Sequence, residues 1–387
     1  MICRESGIIR AINWGCIIIK TMKKILFLIH DLSYGGAEKV LVNLANNLDK
    51  TKYDVTIQTL FDVGVNKQFL SKDVHYIGGM KKMFSGNAKM MKLLSPSLLC
   101  KIVIRDNYDI VVSFLEGPCS RIVSAYRGKK VAWIHVEHNT TEELSASFRN
   151  KKEMAKCYNS FDKIICVADT VKENFSSLFD LKVDCEVLYN VNETEQIIEK
   201  SKEKQNIIKH SNGAYNIISV GRLSFAHKGY DRLVRIHKRL LKNGVDNKLY
   251  ILGEGGDKEK LLKMISELQI ENSCFLLGFE ENPYKFVSDA DLFVCSSHHE
   301  GFSTAVTEAL ILGVPVVSTE VSGARELIGD SEYGILTEND EDALYNGIYK
   351  ILTNNQLNYY REQAKLRGKK FSTEETTHAI EMMLKNI

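Results

Sequence analysis

Two glutamates, Glu300 and Glu308, stand eight residues apart in Cys295-Ser-Ser-His-His-Glu300-Gly-Phe-Ser-Thr-Ala-Val-Thr-Glu308-Ala-Leu. On one continuous helix, eight residues advance about 12 Å and turn about 80° past two full turns, so the carboxylates would not share a face. The apolar run before Cys295 and the glycine at 301 argue instead for strand, loop and then helix. Glu300 then lies in the loop and Glu308 about one turn inside the helix. Two acids so placed can approach one elongated ligand at separate points. Between them, the backbone around Gly301, Phe302, Ser303 and Thr304 opens the helix with free N–H groups, an anion site. The plain alternative is a solvated acid followed by an ordinary helix-surface glutamate.

A second segment, Val220-Gly-Arg222-Leu-Ser-Phe-Ala-His-Lys228-Gly229, leaves a strand, carries two cations and enters a helix through glycine. A guanidinium fork plus an ammonium point charge suits a diphosphate; the alternative is a basic surface loop. Gly35-Gly36, at another strand-to-helix turn, allows close backbone approach to a ligand. His135 ends a predicted strand in Trp133-Ile-His-Val-Glu-His138, where a lone histidine is also compatible with a purely structural place. Gly253-Glu-Gly255-Gly256 begins like a dinucleotide fingerprint but has Lys258 at the third glycine position, so that motif fails.

These residues need rigid elements behind them, and the chain supplies two series. Lys-Lys and Ile25–Ile29 read as a buried strand, followed by the Gly35-Gly36 turn and a helix with Ala37, Val40, Leu41, Leu44, Ala45 and Leu48 on one face. Strands are predicted over Asp54–Leu60, Ile110–Phe114, Val131–His135 and Lys163–Val167. From about Asn192 to Gly213 the pattern dissolves into a polar, Lys/Glu-rich stretch, partly helical, that reads as a boundary. A second series then starts. Strands are expected at Asn216–Val220, Leu249–Leu252, Cys274–Leu277, Leu292–Ser296 and Val314–Ser318. Helices are expected at Glu259–Leu268, from about Thr304, and through the last stretch. Two βα series imply two parallel sheets whose carboxyl edges face across a cleft.

Composition narrows the class. The chain has 387 residues, 44% hydrophobic and 26% charged, which suits an ordinary globular protein of two or three domains. Lys+Arg 51 against Asp+Glu 49 leaves a net charge of +2, without the basic excess of a general nucleic-acid binder. Nine cysteines are scattered without a C-x-x-C, so a reducing, cytoplasmic setting is expected. No apolar run reaches the roughly 18–20 residues of a membrane span. Residues 1–21 hold an apolar stretch interrupted by Arg10 and Asn13. They read as an extension with Met22 as the true start, a signal-like segment being the alternative.

The pieces, in this order, resemble a retaining family-4 (group 1) glycosyltransferase from about Met22 to the C-terminus. The resemblance rests on Gly-Arg222-Leu…Lys228-Gly229, Leu252-Gly-Glu-Gly255, Asp289-Ala-Asp-Leu-Phe-Val and Glu300-Gly-Phe-x5-Glu308-Ala. Gly-Val-Pro315 and Ser322-Gly323-Ala-Arg-Glu326 add to it. Together with Gly-Gly-Ala-Glu38, the pattern is similar to bacterial enzymes that build capsular or other surface polysaccharides. What the resemblance implies is an α/β protein of GT-B architecture, two facing Rossmann-like domains with parallel sheets and an interdomain cleft. An acceptor-binding domain is expected over 22–195, a linker over 196–212 and a nucleotide-sugar-binding domain over 213–370. A C-terminal helix over 371–387 is expected to pack back on the first domain.

By the same resemblance, Arg222 and Lys228 hold the diphosphate of a nucleotide sugar, with UDP favoured as the carrier and the hexose left open. Glu300 contacts the transferred sugar and Glu308 the ribose, while backbone at Gly35, Gly36, Gly301, Phe302 and Ser303 lines phosphates and sugar; Thr304 and Gly255 join this donor-binding set. His135 is the match to the histidine near the reacting carbon, with His138 its rival. Arg222 and Lys228 are one residue further apart than in the common pattern. Breaking the anomeric bond puts negative charge on the departing diphosphate, which preorganised cations stabilise. No acidic pair sits at a strand end to hold a metal, so metal-independent hexosyl transfer is expected, with no cofactor beyond the donor, a UDP-hexose or UDP-N-acetylhexosamine.

The expected acceptor is a glycan or polyprenyl-diphosphate-linked glycan. Residues 81–94 mix lysines with large apolar side chains before Pro96, which suits an anionic membrane surface or, alternatively, a surface helix packed on its own domain. The protein would then be cytoplasmic, peripheral on the inner face of the plasma membrane. Three rivals stay open: an epimerase or phosphorylase on the same architecture, a non-catalytic partner subunit, and a paired-carboxylate glycosidase.

Overall fold

The computed structural model describes residues 22–33, 35–82, 91–138, 140–208 and 213–387. Its first half is one parallel sheet of seven strands: β1 (Lys23–Ile29), β2 (Tyr53–Thr59), β3 (His75–Ile77), β4 (Ile110–Ser113), β5 (Lys129–Ile134), β6 (Lys163–Cys166) and β7 (Cys185–Val187). The second half is a parallel sheet of six: β8 (Tyr215–Val220), β9 (Asn247–Leu252), β10 (Cys274–Gly278), β11 (Leu292–Cys295), β12 (Val316–Thr319) and β13 (Ile335–Thr337). The spatial orders are β3-β2-β1-β4-β5-β6-β7 and β10-β9-β8-β11-β12-β13. Each sheet reverses direction of growth beside its first strand, at β1/β4 and at β8/β11, and a crevice opens there outside the carboxyl ends.

The sequence explains the central strands directly. Ile25 to Ile29 is fully buried on both sheet faces, as a parallel strand covered by helices must be. Each such side chain contributes about 1.5–3 kcal/mol when taken out of water, so a charge within this run would break the half. Three strands lie outside the sequence expectation: β3, β7 and β13. Each has three residues and sits on or next to a sheet edge, too short to show a period in the sequence. The remaining strands begin and end within two residues of expectation, Val131–His135 being shifted to Lys129–Ile134 so that His135 is the first residue beyond it.

The boundary stretch, read as partly helical with its linker over 196–212, begins with a helix, Thr194–Ser201. It is bound to the second half: Asn282 Nδ2 donates to Lys200 O at 2.9 Å and Ser288 Oγ to Ser201 O at 3.2 Å. The last helix, Thr373–Asn386, lies on the first half. There Ile380, Met383 and Leu384 are buried, Tyr53 Oη donates to Glu381 O and Lys23 Nζ to Leu384 O. Phe302 stacks on Tyr189 with ring centres 5.1 Å apart and meets Phe371 edge-on, so one apolar core runs across the junction of the halves.

Candidate functional site

The loop after β8 carries Arg222 and Lys228. Between them lies one helical turn, Phe225–Lys228, whose first N–H, on Phe225, donates to Asp257 Oδ2 at 2.9 Å. Gly229 ends the turn at φ +61°, left-handed backbone in which a β-carbon would also fall 2.2 Å from Ser296 O. Lys228 is thereby delivered to the loop after β11, where its Nζ donates to Glu300 Oε1 at 2.5 Å. Ser297 Oγ donates to the same oxygen at 2.6 Å. Burial alone would drive the Lys228 ammonium toward neutrality, but the facing Glu300 charge outweighs it and pushes its pKa up. The pair borders a small void with Tyr230, Cys295, Ser296 and Ser303.

The loop itself is fixed from below by Arg232, a buried guanidinium that the sequence did not single out. Its Nε and Nη2 donate to Ser296 O at 2.8 and 2.6 Å, and Nη2 also to Ser297 O at 2.7 Å and Asn339 Oδ1 at 2.8 Å. A charge with so many acceptors is rigid, and it aims the carbonyls of residues 296–297 away from the anion side. Arg222 lies exposed at the mouth, and its charge reaches across the cleft to Glu38.

The first half closes on this loop at two places. Gly301 is packed so tightly that a β-carbon there would stand 1.9 Å from the carbonyl oxygen of His135. At the other place, a β-carbon on Gly36 would lie 3.5 Å from Thr304 Oγ1, so the turn after β1 touches the first residue of the helix Thr304–Ile311. The helix-start amides therefore face the cleft between two N-terminal-half turns. Gly35 is overlain by the Glu38 carboxylate, whose pKa burial raises.

His135 is buried, and its Nε2 has no hydrogen-bond partner. Burial pushes its pKa down to about 4, against the pull of Glu116, so the ring is neutral at neutral pH. Glu116 is the residue that shapes this turn, accepting from the His135 N–H at 2.5 Å and the Val136 N–H at 2.9 Å. Burial opposes its ionisation, but His138 and His135 outweigh that and hold its pKa below the usual range. His138 sits between Glu116, at 3.8 Å, and Glu143, at 3.4 Å, and is raised by them despite partial burial. The two histidines thus differ in electrostatic setting, His135 driven toward the neutral ring and His138 toward the charged one, while Nε2 of each lacks a hydrogen-bond partner.

Gly255 and Phe302 are each held by close packing. A β-carbon on Gly255 would collide with the backbone of Leu223, 2.3 Å from its oxygen, so Gly255 lets two loops pass and shapes the Arg222 turn. Phe302 turns its ring into the Tyr189–Phe371 junction, which leaves only its backbone for the cleft. Ser303 is buried with its carbonyl accepting from Thr307 Oγ1 at 3.0 Å. Glu308 lies one turn into the helix as expected, and it is buried. Lys39, absent from the sequence reading, donates to its Oε1 at 2.5 Å from the opposite half.

Among the described residues, no group of three or more His, Cys, Asp or Glu side chains gathers as metal ligands, and the cations at the cleft are Lys and Arg. Also among them, no helix is long and apolar enough to cross a membrane. Of the 81–94 segment, residues 83–90 lie outside the described residues. Residues 91–94 are tied down by main-chain bonds from Arg121 and Arg149, which leave Leu93 78% exposed.

Comparison with known proteins fits this architecture. A model described as glycosyl transferases group 1 matches residues 200–370, and one described as Glycosyltransferase Family 4 matches residues 34–196. The chain is 32% identical over 361 residues to the N-acetylgalactosamine-N,N'-diacetylbacillosaminyl-diphospho-undecaprenol 4-alpha-N-acetylgalactosaminyltransferase of Campylobacter jejuni, covering 90% of this chain and 96% of that protein. It is 25% identical to the lipopolysaccharide core biosynthesis glycosyltransferase LpsE of Rhizobium meliloti, over 84% of this chain and 87% of the relative. Among solved structures, Anabaena Alr3699/HepE in complex with UDP and glucose superposes with a TM-score of 0.75 at 19% identity. The match covers 94% of this chain and all (100%) of that one. A glycosyltransferase from Rickettsia africae superposes at 0.74 with 18% identity, over 94% and 98% of the two chains. The two facing parallel-sheet halves are the GT-B fold.

Proposed function

The chain belongs to the group 1, family-4 glycosyltransferases, and on that premise we propose that it moves a hexose or N-acetylhexosamine from a UDP-sugar to a lipid-linked or free glycan, with retention and without a metal. The observation that carries the reading is the Lys228–Glu300 pair, set beside the start of the helix Thr304–Ile311 and closed over by the His135 turn. In this reading Lys228, Arg222 and the helix-start amides take the charge that develops on the departing UDP. Glu300 grips the sugar hydroxyls. The neutral ring of His135 offers its free nitrogen to the sugar, and its carbonyl dipole lies beside the positive anomeric centre. Glu308 holds the ribose. The Campylobacter relative's undecaprenol-linked acceptor and the Rhizobium relative's core polysaccharide support a role in bacterial surface glycan assembly.

The test is a panel of UDP- and GDP-sugars with polyprenyl-diphosphate-linked acceptors, read by mass spectrometry, with the product's anomeric configuration read by NMR. Added mass of one sugar on the acceptor, in the donor's own configuration, is expected. Interconversion of the free donor without acceptor would establish the epimerase reading in its place.

Membrane proximity of the acceptor is part of the same proposal. Exposed Met80, Leu93 and Ile102 line one cavity of the first half, and Lys81, Lys82, Lys92 and Lys101 are their neighbours in the chain. Each lysine at an anionic surface is worth about 1 kcal/mol. Sedimentation with anionic vesicles should carry the protein down at low salt; no binding there would exclude this surface.

A further inference from the structure

Glu308 is the acid that the donor reading assigns to the ribose, and its setting is unusual for a ligand-binding carboxylate. It is buried, and both hydrogen bonds given to it among the described residues converge on one oxygen, Oε1: from Lys39 Nζ at 2.5 Å and from Tyr284 Oη at 3.3 Å. Lys39 also donates to Tyr284 Oη at 2.6 Å and lies 5.1 Å from the centre of that ring, so its head is held by two groups of the second half. Yet Lys39 belongs to the helix Gly36–Asn47 of the first half, one turn beyond the Gly35-Gly36 contact with Thr304. Tyr284 is itself buried on the helix Tyr284–Ser288. The carboxylate is thus clamped at one oxygen from across the cleft, with the other oxygen left for a ligand.

We infer that Lys39 is a positioning residue for the donor: by holding Oε1 of Glu308 from the opposite domain, it orients Oε2 toward the ribose hydroxyls. The inference rests on the proposed donor site and adds to it a partner from the half otherwise assigned to the acceptor. A carboxylate without that clamp keeps its charge in a buried place but loses its direction, and the lost contact is one that ground state and transition state share. The loss therefore falls on donor affinity. It also follows that separation of the two halves releases Glu308, so a bound nucleotide favours the closed cleft and a closed cleft favours the nucleotide, to the same extent.

The experiment measures binding of UDP and of 2′,3′-dideoxyuridine diphosphate to the full chain by calorimetry, for wild type, Lys39→Met and Lys39→Arg. Lys39→Met should weaken UDP about tenfold, the scale of one charge-assisted contact, and leave the dideoxy compound, which has no ribose hydroxyls to meet, unchanged. Lys39→Arg, which can still donate to Oε1, should recover most of the loss. Donor KM should rise in Lys39→Met with kcat nearly constant. Wild-type affinity for UDP in Lys39→Met, tighter binding, or an equal loss for both nucleotides would overturn the inference. A wild-type protein that does not distinguish UDP from the dideoxy compound would count instead against Glu308 as the ribose acid, and so against the donor reading beneath it.

Discussion

Two lysine–glutamate pairs stand at the cleft, each 2.5 Å long with its carboxylate buried or nearly so, and they are built differently. Lys228–Glu300 lies wholly within the second half, on loops that Arg232 and Gly229 lock together. Lys39–Glu308 spans the halves. The same chemistry therefore serves as fixed charge in one place and as a contact conditional on closure in the other. Preorganised charge belongs where a leaving group develops its own charge, since it costs no rearrangement at that moment. A conditional contact belongs where binding must report that both halves are in place.

The hardest blow to the fixed pair is removal of one member. Lys228→Ala and Glu300→Gln should each lower kcat by about 10²–10³, and Arg222→Ala should fall in the same range. Turnover near wild type in any of these would take that residue out of the charge-stabilising set. Next comes Gly301→Ala, which leaves both pairs chemically intact but drives a methyl into the His135 carbonyl. A displacement of about 1 Å at the reacting centre costs about 10²-fold, so turnover should fall that far, while UDP binding should weaken by no more than the about tenfold expected for losing the Lys39 contact. Equal loss of UDP binding would mean that the contact between halves cannot be separated from the donor site.

A smaller effect compares the halves through their buried histidines. His135 and His237 both have their pKa pushed down by burial, from 6.5 to about 4, although His237 is hydrogen-bonded through both ring nitrogens to Asn247 and Ser273 whereas Nε2 of His135 has no partner. A depressed folded value means that folding favours the neutral ring. This stabilisation is complete above the unfolded value of 6.5 and is lost as pH falls through about 4. The melting temperature should therefore drop over that window, and His135→Asn should flatten part of the drop. An unchanged slope in the variant would remove His135 from the account. Smallest of all is the expected response to chelation: EDTA should leave transfer unaltered, and activity lost in EDTA but restored by Mg²⁺ or Mn²⁺ would reassign the phosphate charge from Lys and Arg to a metal.

Much of this was legible in the sequence because parallel strands buried on both faces are continuous apolar runs and because loop glycines sit beside the residues they position. Glu300, Arg222 and Lys228 fall on loops that follow strand ends for that reason, Lys228 at the end of a single helical turn. What the sequence left dark is tertiary. Lys39 follows Glu38 in a stretch that reads only as the start of a helix, and its partner is 269 positions away. Arg232 reads as one more cation in an amphipathic helix, and nothing local shows that four acceptors surround it. Gly255 illustrates the converse: a glycine in a loop motif reads as room for a ligand, and the space is instead filled by the backbone of Leu223.

The helix Thr373–Asn386 reverses the usual order of assembly. Its Ile380, Met383 and Leu384 fill a seam beside Tyr53 and the helix Gly36–Asn47, so the lobe synthesised first is left with an apolar seam open until the final 14 residues of this helix have left the ribosome. Truncation after Phe371 would then injure the amino-terminal lobe and spare the carboxy-terminal one, which limited proteolysis of the shortened chain would reveal as early cutting within the first 190 or so residues.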